Sequence, residues 1–116
     1  IVADYATTGD GVLTALLVGA RVAAHGSLRE LCAGIDNLPQ VLVNVRNADR
    51  TRVYTDLELQ AAVAEARRVL GDSGRVLLRP SGTEPLVRVM VEASTEEDAR
   101  RHADALAEVV ARRLAL

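Results

Sequence analysis

The spacing of apolar residues in the last two-thirds of the chain restricts its fold more than any other feature. Apolar side chains recur at every second position in 41–45, 75–79 and 86–93, which predicts three strands. Two further segments repeat apolar residues at helical spacing. Their stripes are Leu59, Val63, Ala66 and Leu70 in one segment, and Ala99, Ala103, Leu106 and Val110 in the other. The order β-α-β-β-α predicts an α+β fold, a small antiparallel sheet with two helices on one face.

Capping and turn residues separate these elements. Thr55–Glu58 has the pattern of a capping box and predicts the start of the first of these helices, and Ser94–Glu97 caps the last helix. Gly71–Gly74 is rich in turn-forming residues, so we place a turn there. The remaining connection, between the second and third strands, is longer and more polar than a usual hairpin turn.

The first third of the chain is predicted to be mainly helical. Apolar residues recur at helical spacing across 12–24, Asp10 stands in front of them as an N-cap, and His25-Gly26 ends the helix. Ser27–Glu30 has the pattern of a second capping box, which opens a short helix that Gly34 ends.

These first residues do not make a domain by themselves. Ile1–Tyr5 is predicted as a short strand, and two helices with one strand resemble the tail of an α/β domain whose sheet lies elsewhere. Asp36–Pro39 favours a turn and a break in helical structure. We therefore predict two domains, a helical remnant of an α/β domain with a linker in 1–38 and a complete domain in 39–116. The absence of an initiating Met leads us to expect a piece of a longer protein.

Composition excludes several classes of function. The chain of 116 residues has no Phe or Trp, only two Tyr and a net charge of −2, which disfavours a nucleic-acid-binding surface, including an RNA-binding sheet. All 14 basic residues are Arg, a side chain suited to phosphate and carboxylate but not to Schiff-base chemistry. A single cysteine, Cys32, cannot form a disulfide within the chain, and no apolar run is long enough to span a membrane. We expect a cytoplasmic protein with no membrane partner.

The long polar connection is the best candidate for a binding site. It runs from Arg79 to Pro85, and strand alternation places Arg79 and Arg88 beside it on the face that the helices do not cover. Arginines, the hydroxyls of Ser81 and Thr83, and backbone amides that form a nest around Gly82 are donors that an anion would find there. Gly82 is expected to allow a positive φ.

Two questions about this connection stay open from the residues alone. The connection is also consistent with a solvated loop that binds nothing. Glu84 puts a carboxylate into the proposed anion site, and its side chain would there orient an arginine or cap a backbone amide.

The connection also resembles a known motif. Its sequence, Arg-Pro-Ser-Gly-Thr-Glu-Pro in 79–85, is similar to the C-terminal phosphate loop of the α-D-phosphohexomutase superfamily. The continuation in 86–93 resembles more specifically the bacterial phosphoglucosamine mutases, and Asp4–Gly11 with the helix after it resembles the end of that family's third domain. The resemblance covers essentially the whole chain.

The resemblance implies a fold and an activity. The fold is the TATA-box-binding-protein-like C-terminal domain of these four-domain enzymes. They interconvert glucosamine 6-phosphate and glucosamine 1-phosphate for UDP-N-acetylglucosamine and cell-wall precursors, through a phosphoserine, Mg²⁺ and a glucosamine 1,6-bisphosphate intermediate. Carried onto this chain, the positions that bind the substrate's non-reacting phosphate are Arg79, Ser81, Gly82, Thr83, Glu84 and Arg88.

The parts of the family's machinery that this sequence lacks limit what the chain does alone. It contains neither the nucleophilic serine motif, nor the aspartate-rich metal motif, nor the sugar-reading loop. We therefore expect no catalytic residue and no metal site in this chain, no mutase activity from it alone, and a monomer that works with the other domains of the same enzyme. The alternatives are the C-terminal domain of a phosphomannomutase or phosphoglucomutase, or a non-enzymatic anion-binding module.

Overall fold

A computed structural model describes all residues, 1–116, and they form two compact units, Ile1–Asn37 and Leu38–Leu116. The first unit contains the helices α1 (Gly11–His25) and α2 (Leu28–Leu31). Asp10 caps α1 by accepting the amide of Leu13, and Gly26 ends it with a φ of 113°, which favours glycine. The capping box at Ser27–Glu30 is present as predicted.

Two predictions for the first unit are wrong. Ile1–Tyr5 forms a turn rather than a strand, because it has no neighbouring strand to bond with, and the amides of Tyr5 and Ala6 both donate to the Val2 carbonyl. Helix α2 ends at Leu31 and not at Gly34. Beyond it the amides donate three residues back, Ala33 to Glu30 among them, so the chain continues as turns.

The apolar stripe of the first unit stays uncovered. No residue of α1 or α2 is buried, and the side chains of Val12 and Leu16 are 72% and 68% exposed. The helical pattern of this segment therefore forms its helix without forming a core.

The second unit has the predicted order of elements. In chain order these are β1 (Gln40–Arg46), α3 (Leu57–Leu70), β2 (Arg75–Pro80), β3 (Leu86–Glu92) and α4 (Glu96–Arg113). The sheet is antiparallel with the order β1-β3-β2, so β3 is bonded on both sides. The predicted α+β class and β-α-β-β-α order are confirmed.

One core holds the sheet and helices of this unit together. Val87, Val89 and Val91 of the central strand are fully buried, as their alternation predicted. Both predicted helix stripes are buried in the same core. Burial of each large aliphatic side chain stabilises the fold by roughly 1.5–3 kcal/mol. The opposite faces of these helices are charged, and none of the chain's helices has the length and apolar character needed to cross a membrane.

The N-cap of α3 is Asp56 rather than Thr55, which corrects the predicted capping box. The Asp56 carboxylate accepts the amide of Leu59 at 3.1 Å and also bonds Arg113 at the end of α4. The Arg113 guanidinium lowers the pKa of this buried carboxyl, with help from the Leu59 amide and Arg52. One aspartate thus joins the start of α3 to the end of α4.

Candidate functional site

The connection between β2 and β3 is held by its own hydrogen bonds. The Ser81 amide donates to the Leu86 carbonyl at 3.0 Å, and the Leu86 amide donates to the Glu84 carbonyl at 2.8 Å. Ser81 is nearly buried, and its Oγ accepts the Glu84 amide at 3.3 Å. The amides of Gly82 and Thr83 have no acceptor within the chain. Two adjacent backbone donors are therefore free to bind an added acceptor.

Gly82 does not adopt the positive φ that a glycine allows. Among the glycines only Gly26 and Gly71 do, so the loop does not use the freedom that glycine offers at this position. The hydrogen bonds around Ser81 bend the loop instead. A Cβ atom on Gly82 would meet no other group within 4 Å, so the space beside this peptide is open.

Arg79 and Arg88 lie directly opposite each other on β2 and β3, and Asn44 of β1 lies opposite Arg88 on the other side. Both arginines are exposed and line the open face of the sheet, as the alternation predicted. Neither forms a salt bridge, so the two positive charges face each other without a carboxylate. Like charges opposite each other in a sheet are destabilising, which makes the pair unusual for a purely structural surface.

The open face changes character away from the loop. A groove of about 220 Å³ runs along it, lined by Gln40, Leu42, Leu77, Arg79, Arg88 and Met90. At its far end Arg75 forms a two-pronged ion pair with Glu92 at 3.0 and 2.8 Å, and Gln40 also donates to this carboxylate. Hydrogen bonding by Arg75 lowers the pKa of Glu92.

Glu84 is turned toward an arginine. Its carboxylate lies 3.8 Å from the Nη1 atom of Arg46, and both side chains are largely exposed. The Glu84 backbone amide already donates to the Ser81 hydroxyl oxygen. Glu84 therefore offers its carboxylate, and not a free amide, to its surroundings.

Arg50, which was not predicted from the sequence, contacts the loop through its backbone carbonyls. Its Nη1 atom donates to the carbonyls of Ser81 at 2.8 Å and of Gly82 at 2.6 Å. Arg50 lies in a connection without apolar periodicity and is one of 14 arginines, so no pattern in the sequence distinguishes it.

The segment that carries Arg50 is fixed at several points. The Asp49 amide donates to the Leu114 carbonyl at 2.6 Å, the Leu116 amide donates to the Asn47 carbonyl at 3.0 Å, and the Ala48 amide donates to the carbonyl of Pro85 in the loop at 3.2 Å. The Asp49 carboxylate accepts from the hydroxyl and the amide of Thr51, and these hydrogen bonds lower the pKa of Asp49. Residues at and beyond the C-terminal end of α4 thus fix the segment that carries Arg50.

The chain contains no group of three or more His, Cys, Asp or Glu side chains placed to hold a metal ion. The donors around the loop are cationic or neutral hydrogen-bond donors, a set that suits an oxyanion and not a divalent cation.

A family model matches the part of the chain that builds this sheet. Residues 42–109 match the model described as "Phosphoglucomutase/phosphomannomutase, C-terminal domain". The chain belongs to this family. The family match spans all but the ends of the second unit, and with it the loop and both facing arginines.

Curated relatives of this family member are phosphoglucosamine mutases. Those of Streptomyces griseus subsp. griseus and Frankia alni are 63% and 65% identical over 95% and 92% of the chain. That of a Nocardioides species is 60% identical over 100% of the chain. The resemblance to bacterial phosphoglucosamine mutases is confirmed. The chain spans about a quarter of the length of these relatives, 24–26%.

Solved structures agree with the family assignment. N-acetylphosphoglucosamine mutase of Aspergillus fumigatus matches with a TM-score of 0.79 and 30% identity, over 93% of this chain and 22% of that one. The same enzyme in complex with GlcNAc-6P and magnesium matches with a TM-score of 0.70 and 33% identity, over 88% of this chain and 21% of that one. These neighbours confirm the predicted fold class.

Proposed function

We propose that the chain is the end of domain 3 (1–38) and the C-terminal, phosphate-binding domain (39–116) of a phosphoglucosamine mutase. In the whole enzyme it holds the phosphate that is not reacting while glucosamine 6-phosphate and glucosamine 1-phosphate are interconverted. The observation that carries the proposal is the unneutralised pair Arg79–Arg88 beside the free amides of Gly82 and Thr83.

A phosphate group fits this set of donors. Two guanidiniums offer paired N–H groups to its oxygens, and a dianion between Arg79 and Arg88 would remove the repulsion between them. The amides of Gly82 and Thr83 add neutral donors, as do the hydroxyls of Ser81 and Thr83, which donate to no group of the chain. Glu84 contributes through Arg46, which it holds near the loop at 3.8 Å, rather than by touching the anion.

Binding of this phosphate would assist a reaction that takes place elsewhere. Energy gained at a remote group of the substrate positions the sugar for transfer at its other end. Donors that recognise only phosphate accept either end of a bisphosphate, which a reorienting glucosamine 1,6-bisphosphate requires. We place the Mg²⁺ and the phosphoserine of the full enzyme outside this chain, because its sequence contains neither the family's aspartate-rich metal motif nor its nucleophilic serine motif.

The sugar is assigned from the relatives. The family model covers glucose and mannose phosphate mutases as well, but the curated relatives at 60–65% identity are phosphoglucosamine mutases. Because the loop would contact phosphate and not sugar, we expect the chain to bind glucosamine 6-phosphate, mannose 6-phosphate and inorganic phosphate with affinities within about tenfold of each other.

An NMR titration tests the site. The amide resonances of Ser81–Glu84 and the side chains of Arg79 and Arg88 should shift with millimolar phosphate or glucosamine 6-phosphate. Inorganic chloride at the same ionic strength is the control for screening. Shifts confined to another surface would refute the site. In an assay for glucosamine 1-phosphate the chain alone should show no turnover, and turnover would contradict our placing of the nucleophile.

A further inference from the structure

We infer that Arg50 is a positioning residue that turns the peptide groups of the loop so that their amides face the bound phosphate. The inference rests on the proposed phosphate site, and it explains why the amides of Gly82 and Thr83 have no acceptor within the chain. Nη1 of Arg50 donates to two successive carbonyls, those of Ser81 and Gly82, at 2.8 and 2.6 Å.

The geometry of the trans peptide group determines which way the loop amides point. In a trans peptide the C=O of one residue and the N–H of the next point to opposite sides. All peptides of this chain are trans. When Arg50 draws the Ser81 and Gly82 carbonyls to one side, the Gly82 and Thr83 amides must point to the other. Those are the two loop amides without an acceptor.

Charge adds to this orientation. A cation bonded to a carbonyl polarises the peptide and makes the N–H of the same peptide a better donor. Arg50 therefore prepares both amides for an anion without touching it. Without Arg50, each carbonyl would be free to rotate toward the anion, where its partial negative charge would oppose binding.

The support of Arg50 is itself rigid, as positioning requires. The neighbouring amides of Ala48 and Asp49 donate to the Pro85 and Leu114 carbonyls, which ties the Arg50 backbone to the far end of the loop and to the end of α4. Leu114 is fully buried, so this anchor belongs to the core. The Arg50 side chain thus extends from a fixed point to the loop's carbonyls.

The test uses the 116-residue chain and three variants. Arg50→Met removes the donors and keeps much of the aliphatic stem. Arg50→Lys keeps the charge and three donors on a shorter stem. Arg100→Met is the matched control, because Arg100 is an exposed arginine on α4 whose side chain forms no hydrogen bond or salt bridge. Far-UV circular dichroism checks that each variant keeps its fold.

Two readouts are required. In the free chain, the heteronuclear NOE of the Gly82 and Thr83 amides should fall in Arg50→Met, stay at the original value in Arg100→Met and be intermediate in Arg50→Lys. In a phosphate titration, Arg50→Met should bind about tenfold or more weakly, and the loss should persist at high ionic strength, where simple charge attraction is screened.

The outcomes separate this inference from the proposed function. If the original chain does not bind phosphate, the phosphate site is wrong and the inference falls with it. If the original chain binds and Arg50→Met binds equally well, only the inference is wrong. A weaker affinity with unchanged free-chain amides, or a loss that disappears with salt, would show that Arg50 acts as a direct ligand or a distant charge, and would also overturn it.

Discussion

The two ends of the open sheet face have the same strand pairing and different net charges. At the far end Arg75 lies opposite Glu92, and the two form a close ion pair. At the loop end Arg79 lies opposite Arg88, and neither has a carboxylate partner. Both rows belong to the same two strands, β2 and β3, and are separated by one apolar row, Leu77 and Met90.

The difference shows what each end is suited to do. The Arg75–Glu92 row is neutral within the chain, so it needs nothing from outside. The Arg79–Arg88 row remains unneutralised unless an anion arrives. Since the backbone is the same at both ends, the contrast lies in one residue, the glutamate or arginine opposite the β2 arginine. Variants at the two ends should therefore respond differently.

The largest expected contrast is in phosphate binding. Arg88→Met should weaken binding of inorganic phosphate by about ten- to hundredfold, because it removes a charge-assisted hydrogen-bonding group from the anion. Arg75→Met should change the affinity by no more than about twofold, since the Arg75 charge is already paired and distant. NMR titration of each variant gives both affinities. Equal losses at the two ends would mean that only overall positive charge matters.

A smaller contrast is expected in stability without ligand. In phosphate-free buffer Arg79→Met should raise the free energy of unfolding by about 0.2–1 kcal/mol, because it relieves the repulsion across the strands and keeps the aliphatic stem. Arg75→Met should lower it. Urea denaturation followed by circular dichroism measures both. If Arg79→Met lowers the stability of the free chain, the facing arginines are not in conflict.

The smallest effect is the pH dependence of the paired end. The folded-state pKa of Glu92 is lowered from its ordinary value of 4.5, first by its hydrogen bond with Arg75. A lowered pKa means that this carboxylate contributes stability above its unfolded pKa and loses it as the pH falls through the folded value. NMR titration of the Glu92 carboxyl carbon should give a midpoint below 4.5. That midpoint should rise in Arg75→Met and stay in place in Arg88→Met.

Periodicity predicted the fold of the second unit, because the same residues that form each element also bury it. The buried stripes of α3 and α4 and the valines of β3 are the predicted ones. The same alternation placed Arg79 and Arg88 on the open face. At Ile1–Tyr5 the prediction failed, because a strand, unlike the exposed helix α1, forms only by hydrogen bonding to a neighbouring strand.

Features that depend on hydrogen bonds between residues far apart in the sequence could not be predicted from it. Thr55 and Asp56 are both acceptable caps locally, and the Asp56 carboxylate also bonds Arg113, 57 positions away. Arg50 reaches a loop 31 positions ahead of it, and Gly82 needs no positive φ because Ser81 and Arg50 shape the loop. The phosphate role of Arg79, Ser81, Gly82, Thr83, Glu84 and Arg88 and the division at 38/39 stay predictions.

The facing arginines also decide what a melting experiment on this chain would measure. An anion that binds the folded chain and not the unfolded one raises the apparent stability with the logarithm of its concentration. A transition recorded in phosphate buffer would then report occupancy of the arginine pair together with the strength of the core. A zwitterionic buffer would report the core alone. Melting temperatures of variants at this face are therefore comparable only at one fixed anion concentration.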